Sequence, residues 1–530
     1  MKKINLFINK NLAEIIIFSG FSFFSFWLMF STFSYSNGDM LIAGKAWSDF
    51  ASHIPLIRSF SFGNNFPPQY PLFPGEPIRY HFLFYLIVGL MERVGVRIDI
   101  ALNILSSLSF FFLLTMTYLL SVRIFKKRAV GIIAVILFLF NGSLSFLAFF
   151  KDFPLSQRTI LDILTLNHFV SFGPYDGSIV SAFWNLNIYT NQRHLALSFS
   201  LVLLTIYLML GKIKNFKKIF FLAIIFVFLY YLNEAAFFIN LLFLYFLIIG
   251  KSKKAILFLL PAILPIIALI PYKLIEFKLG FLTPNPVTFF SFINYWFYNL
   301  GLYIFLIPIS FFLVPKIHRF FIFPLFILFA IPNILKLSPD MVNNHKLINF
   351  LMLISSIFVA NLLVFLWSKK FKEKIIVIFL SFFLIFSGII DLMPIINDYK
   401  ITLPDYPKDE KIAFFKKLNP KAITLNSTPL YHPASLAGRS IYFGYSYFPW
   451  SYGYDIKTRE KIYSNIYKST SKEKACKLLK ESNISYVELS KNADSSLITN
   501  ADFWEKFNKI YSDKNGAFAV YDVNLSCAFK

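Results

Sequence analysis

The chain has 530 residues, 57% hydrophobic, 20% aromatic and only 15% charged, with a formal net charge of +24. A charged fraction so far below the roughly 25% of soluble domains excludes an ordinary water-soluble protein and calls for lipid as solvent. The positive excess is not a nucleic-acid footprint, because Lys and Arg gather in short segments between apolar runs (Arg123 to Arg128, Lys212 to Lys218, Lys251 to Lys254, Lys316 to Arg319, Lys369 to Lys374) and form no single basic groove.

With every basic cluster placed inside, the apolar runs predict an α-helical polytopic membrane protein of about eleven spans, N-terminus cytoplasmic, in the plasma membrane. The first span, at 12–34, follows Lys2, Lys3 and Lys10 and lacks an Ala-x-Ala cleavage site, so it reads as retained. An external loop, 35–79, comes next. The stretch 80–95 is short and ends in Arg93 and Arg97. A crossing there would invert the basic clusters that follow, so it reads as an interfacial helix. Spans are then expected at 100–122, 129–150 and 194–211, with a second external loop at 151–192. Two short helices should meet near Asn233 and Glu234, and further spans follow at 255–271, 298–314, 320–336, 347–367 and 375–395.

This divides the chain into a transmembrane domain, 1–396, and a small extracytoplasmic α/β domain, 397–530. In the tail, helices are expected at Lys411 to Leu418, Thr458 to Tyr467 and Lys472 to Ser482, and strands at Ala422 to Leu425, Tyr486 to Leu489 and Ala517 to Val523. Its Cys476 and Cys527 are the sole cysteines of the sequence and suit either a disulfide in an oxidising compartment or two buried thiols.

The first loop concentrates acids and histidines in a chain that has few: Asp39, Asp49, His53, Glu76 and His81. On a helix over 45–60, Asp49 and His53 stand at i and i+4 on one face. Such a pair can serve as a base with its orienting partner, as two ligands of a divalent metal, or as a helix-end carboxylate beside an interfacial imidazole. Near the hydrocarbon, ionisable groups are functional candidates by default. Asn191-Gln192-Arg193-His194 at the end of the second loop offers cations for a lipid-linked phosphate or for snorkelling. His345 and Lys346, after Asp340 and a capping Asn343, present the same choice. In the second loop, Asp152, Asp162, His168 and Asp176 read either as further ligands or as solvated groups. In the tail, Arg439 and the aromatic run Tyr442, Tyr445, Tyr447, Trp450, Tyr452 and Tyr454 can wall a sugar site or pack a junction.

Ser48-Asp49 through His53, Asn65-Phe66-Pro67-Pro68, Tyr80-His81-Phe82, Asn343-Asn344-His345-Lys346 and Gly438-Arg439 through Tyr454-Asp455 resemble a bacterial branch of the GT-C superfamily of membrane glycosyltransferases. That superfamily includes protein mannosyltransferases, oligosaccharyltransferase catalytic subunits and aminoarabinose transferases. The resemblance implies an enzyme that moves a sugar from a polyprenyl-phosphate donor to an extracytoplasmic lipid, polysaccharide or protein. It also implies a catalytic acid in the first loop, Asp49 before Asp39 with His53 beside it, and a possible Mg²⁺ or Mn²⁺ held by Asp49 and His53. Substrate and phosphate contacts would fall to Arg193, His194, Lys346, His345, Tyr80, His81 and Arg439. The superfamily's adjacent Asp-Glu pair is replaced here by Gly-Asp-Met and Ser-Asp-Phe. A transporter or flippase would instead scatter ionisable residues through mid-span with repeat symmetry. A non-catalytic assembly protein on the same scaffold is the third class.

Overall fold

The computed structural model describes residues 2–171, 184–211, 216–249, 276–277, 279, 288–491, 497 and 501–528. The span expected at 255–271 and Asp176 lie outside them. In chain order the elements are α1 (Lys2–Thr32), β1 (Phe33–Ser36), β2 (Asp39–Ala43), α2 (Trp47–Ser61), α3 (Leu83–Arg93), α4 (Ile98–Phe125), α5 (Arg128–Leu139), α6 (Phe146–Asp152), α7 (Thr159–Leu164), α8 (Asn187–Asn191), α9 (His194–Met209), α10 (Phe216–Leu232) and α11 (Glu234–Ile249). There follow α12 (Phe289–Leu300), α13 (Tyr303–Phe311), α14 (Ile322–Ile334), α15 (His345–Trp367) and α16 (Phe371–Ile396). The tail contributes β3 (Lys400–Pro404), α17 (Glu410–Lys417), β4 (Ile423–Leu425), α18 (Pro433–Leu436), β5 (Ser440–Ile441), α19 (Tyr447–Ser451), α20 (Ile456–Tyr467), α21 (Lys472–Glu481), β6 (Tyr486–Ser490), β7 (Asn508–Ser512) and β8 (Phe518–Asp522).

The chain forms two compact units. The first comprises Met1–Thr32, Ala43–Lys45 and Asn103–Lys400. Among the described residues, five helical segments are long and apolar enough to cross a membrane: Asn11–Thr32, Ile98–Phe125, Lys316–Ile334, Met341–Trp367 and Phe371–Ile396. The pair α12 and α13 would count as a sixth, bent by 79°. α15 is the centre of this unit, packed against α5, α13, α14 and α16.

Two expected spans prove to be broken, for one shared reason. The run at 129–150 stops at Leu139, and its 12-residue helix is too short to cross roughly 30 Å of hydrocarbon. After it comes Asn141-Gly142-Ser143, and the run at 298–314 turns at Gly301, whose φ is +56°. A Cβ on Gly301 would lie 2.2 Å from the Gly142 carbonyl oxygen, so the two breaks meet backbone to backbone. Neighbours satisfy the freed polar groups: Leu144 N donates to Tyr298 O at 2.8 Å and Ser387 Oγ to Ser143 O at 2.5 Å. The hairpin near Asn233 is as expected, with the Asn233 Oδ1 accepting from Ala236 N to cap α11.

The second unit comprises Phe33–Ile42, Ala46–Leu102 and Ile401–Lys530. β1 and β2 form a hairpin whose turn, Asn37 (φ +49°) and Gly38 (φ +83°), has both central residues in the left-handed region. β3 extends it to a three-stranded sheet in the order β1-β2-β3. The tail's main sheet runs β5-β4-β6-β8-β7, with parallel pairs β4/β5 and β4/β6 and antiparallel pairs β6/β8 and β8/β7. The expected tail helices and strands all form, within two residues at most ends. A disulfide joins Cys476 and Cys527, 51 residues apart. Buried Glu488 of β6 accepts from Ser427 N at 2.6 Å, Ser427 Oγ at 3.0 Å and His432 Nε2 at 3.0 Å, which fixes the turn into α18.

Loop and tail are locked within this unit by a buried ion triad. Arg58 of α2 meets Glu92 of α3 at 2.8 Å and donates to both oxygens of Asp405 at 3.0 and 2.8 Å. Gly438 (φ +78°) lies against α2 so closely that a Cβ there would be 2.4 Å from Arg58 O.

Candidate active site

Asp49 stands in the first turn of α2, half-buried, and His53 is buried one turn on. The His53 ring stacks on Tyr85 of α3 at 4.5 Å. His81, also buried, lies 6.3 Å from the same tyrosine, and its neighbour Tyr80 stacks on Tyr452 of the tail at 4.3 Å. Tyr452 packs on Tyr70 at 5.1 Å, and the Tyr70 hydroxyl shares a 2.8 Å hydrogen bond with Ser52 Oγ on α2. Asp49, His53, Tyr80 and His81, singled out at separate points of the sequence, are thus drawn together with Tyr452 of the tail's aromatic run.

A second tail tyrosine completes the surround. Tyr431 lies 4.0 Å from the Trp47 ring and donates its hydroxyl to the Trp47 carbonyl, two residues before Asp49. Its φ of +49° is a conformation that a bulky L residue avoids unless its surroundings enforce it. Burial, with a further push from the Asp49 charge, holds the Tyr452 phenol up to about 12 and raises that of Tyr431 above its ordinary value. Both therefore stay protonated at neutral pH, as neutral donors in the electrostatic reach of a carboxylate. Trp47, Ser52, Tyr70, Tyr85 and Tyr431 were not legible as site residues. Only the Ser52 position, i+3 from Asp49 on the same helix, carried a sequence signal.

Other first-loop motifs have structural roles. Asn65 staples the Phe66-Pro67-Pro68 turn: its Nδ2 donates to Ser59 Oγ at 3.0 Å and Gln69 O at 2.7 Å, and its Oδ1 accepts from Gln69 N at 2.9 Å. Glu76 pairs with Arg79, whose guanidinium covers the Tyr454 ring at 4.8 Å. Asp39 begins β2 just past the hairpin turn and accepts from Lys408 Nζ at 2.6 Å.

Arg439 is spent on carbonyls, donating to Phe62 O, Ala437 O, Lys416 O and Leu418 O at 2.6–2.9 Å. Burial lowers its pKa to about 10. It closes the end of α17, and its contacts are to backbone where a substrate ligand was expected.

In the first unit, Arg193 is fully buried. It donates to Thr190 O at 2.6 Å, Asn103 Oδ1 at 3.2 Å, Met29 O at 3.3 Å and Thr32 Oγ1 at 2.6 Å, cross-linking α1, α4 and α8. In place of an open anion site there is a pin between helices. His194 is buried beside it. His345 and Lys346 are buried at the start of α15, where His345 Nδ1 meets Asn349 Oδ1 at 2.6 Å and Nε2 faces Gln192 Nε2 at 3.5 Å. The cap there is Asp340, which accepts from Val342 N at 3.0 Å; Asn343 instead donates to Ser338. Asp152 and His168 are exposed and Asp162 half-buried.

Among the described residues no three His, Cys, Asp or Glu side chains converge as a metal cage. Asp49 and His53 offer two ligands at most from one helix face, so a Mg²⁺ would need water and substrate oxygens for its other positions, which is its usual habit.

No protein-family model matches the chain, and a search of curated proteins finds no match. Among solved structures, the chain is similar to the oligosaccharyltransferase of Archaeoglobus fulgidus tethered with an acceptor peptide containing the NVT sequon (11% identity, 97% of this chain and 74% of that chain, TM-score 0.44). It is similar also to the archaeal oligosaccharyltransferase AglB from Archaeoglobus fulgidus in complex with an inhibitory peptide and a dolichol-phosphate (11%, 97% and 74%, TM-score 0.43). A third is the Archaeoglobus fulgidus enzyme in complex with Zn and sulfate (12%, 96% and 73%, TM-score 0.39). All three lie at 11–12% identity and at TM-scores of 0.39–0.44.

Proposed function

We propose that the chain is a membrane glycosyltransferase of the GT-C type that moves a sugar from a polyprenyl-phosphate donor to an acceptor hydroxyl, with Asp49 as general base. The observation that carries this reading is the assembly of Asp49, His53, Tyr80 and His81 with Tyr431 and Tyr452 in one unit.

Asp49 takes the acceptor's proton as its oxygen attacks the anomeric carbon. The bond from that carbon to the phosphate oxygen breaks, and polyprenyl phosphate leaves with the electron pair. Tyr80 and Tyr452 present stacked rings of the kind on which sugar faces pack. A divalent ion held by Asp49 and His53 would supply charge to the departing phosphate. His345 and Lys346 remain candidates for anion contacts, while Arg193 enters the proposal as a residue that positions helices.

The test is transfer of labelled sugar from synthetic polyprenyl-phosphate donors by purified protein in nanodiscs. Release of label by the wild type and its loss in Asp49→Asn supports the reading. Binding of donor with no release by the wild type would favour a flippase or assembly role.

A further inference from the structure

The second external loop carries an unexplained apolar face. Leu155, Ile160, Leu161 and Leu164 are 81%, 74%, 57% and 55% exposed. Ile160 and Leu164 are i and i+4 on α7, and Leu161 and Leu164 i and i+3, so the exposed side chains share one side of the helix. The other side is well packed: Ile163, Phe153 and Leu166 join a cluster with Ile390 and Met393 of α16.

The position of this face along α16 identifies what covers it. Asn397, the residue after α16, donates its Nδ2 to Leu164 O at 2.7 Å and Leu166 O at 2.9 Å. Hence α7 is tied to the end of a span, at the depth where a membrane passes from acyl chain to headgroup. α16 itself exposes Ile378, Phe379 and Phe382 along the apolar surface that a span turns to lipid. The α7 face stands beside the last turn of that span, where Ile390, Met393 and Asn397 hold it. Lys151, Asp152 and Arg158, the charged residues flanking it, are exposed.

We propose that the segment Leu155–Leu164 is an interfacial anchor. It lies in the plane of the bilayer with Leu155, Ile160, Leu161 and Leu164 at the acyl boundary and Lys151 and Arg158 among headgroups. The occupant is phospholipid, and the inference rests on the span and its loop alone, independent of any glycosyl transfer.

The full chain in nanodiscs tests it. Cys476 and Cys527 are bonded to each other, so a bimane label can be placed on Leu161→Cys, Leu164→Cys or Arg158→Cys. Doxyl-labelled phosphatidylcholine should quench the two leucine positions several-fold more than aqueous iodide does, and Arg158 should show the reverse. Quenching of Leu161 and Leu164 by iodide with none by doxyl lipid overturns the proposal. Protection of both from either quencher, the mark of a protein partner on this face, overturns it as well.

Discussion

At the scale of single residues, the question is which charged groups are open to substrate and which are consumed by the fold. Asp49→Asn is nearly isosteric and should lower transfer by about 10² to 10⁴ while leaving expression and donor binding intact. A well-folded variant with wild-type turnover would remove Asp49 from the mechanism. Arg193 is the contrasting case, because truncation orphans acceptors on three helices. With charged hydrogen bonds worth about 1.5 to 3 kcal/mol each, Arg193→Ala should lower the melting temperature markedly, and activity should fall with the folded fraction. Lys346→Ala, at a buried position, should weaken donor use about ten- to a hundredfold beyond whatever loss follows the folded fraction. A cation's sequence position shows that it lies near a membrane face; which acceptors it will find depends on helices hundreds of residues away. That is why the sequence leaves Arg193 between a phosphate contact and snorkelling and Arg439 between a sugar wall and a packed junction, while the structure shows both bonded across elements. Asp49 and His53 could be read together because their spacing is local, one helical turn of α2.

At the scale of elements, local chemistry carried the tail and long-range contact decided the bundle. The tail's helices announce themselves by caps, as with Asp409 accepting from Lys411 N and Ser471 from Lys474 N, and its central strands by apolar runs. The Asn37-Gly38 hairpin had an equally local signal, hidden because it follows a span directly and reads as plain loop. The breaks at Gly142 and Gly301 had no such signal, since each exists to admit the other. The Arg58 triad makes a prediction at this scale. Breaking a buried pair by removing one partner costs about 3 to 5 kcal/mol, so Arg58→Met should release α2 and α3 to proteolysis.

The same triad has a pH signature. Burial raises the Glu92 carboxyl above its ordinary 4.5, against the opposing pull of Arg58. Because the folded value lies above the unfolded one, its contribution to stability is fully present below pH 4.5 and is lost as pH rises through the folded value. Melting temperature should therefore carry a component that declines from pH 4.5 upward. Glu92→Gln should abolish that component, and an identical pH profile in the two proteins would refute the assignment.

At the scale of the whole molecule, the disulfide and the basic clusters argue for the same sidedness. A bond between Cys476 and Cys527 suits a tail in an oxidising compartment. Closing a 51-residue loop is worth about 4 kcal/mol in chain entropy, so a reductant should lower the tail's unfolding temperature. An impermeant maleimide added to intact cells should label Lys514→Cys, an exposed tail position, and reach Lys370→Cys only after permeabilisation. The opposite pattern would invert the topology.

The hydrogen bond from Tyr431 to Trp47 closes a separation of 384 residues. At roughly 5 to 20 residues per second, the ribosome needs on the order of 20 to 80 s to travel from one partner to the other. Throughout that interval the carboxylate of Asp49 is already outside the first span but lacks the phenols that frame it. A nascent chain halted anywhere short of its last quarter carries the acid without its surround. Assembly order thus acts as a timer: the surround of Asp49 closes only after the ribosome has nearly finished the chain.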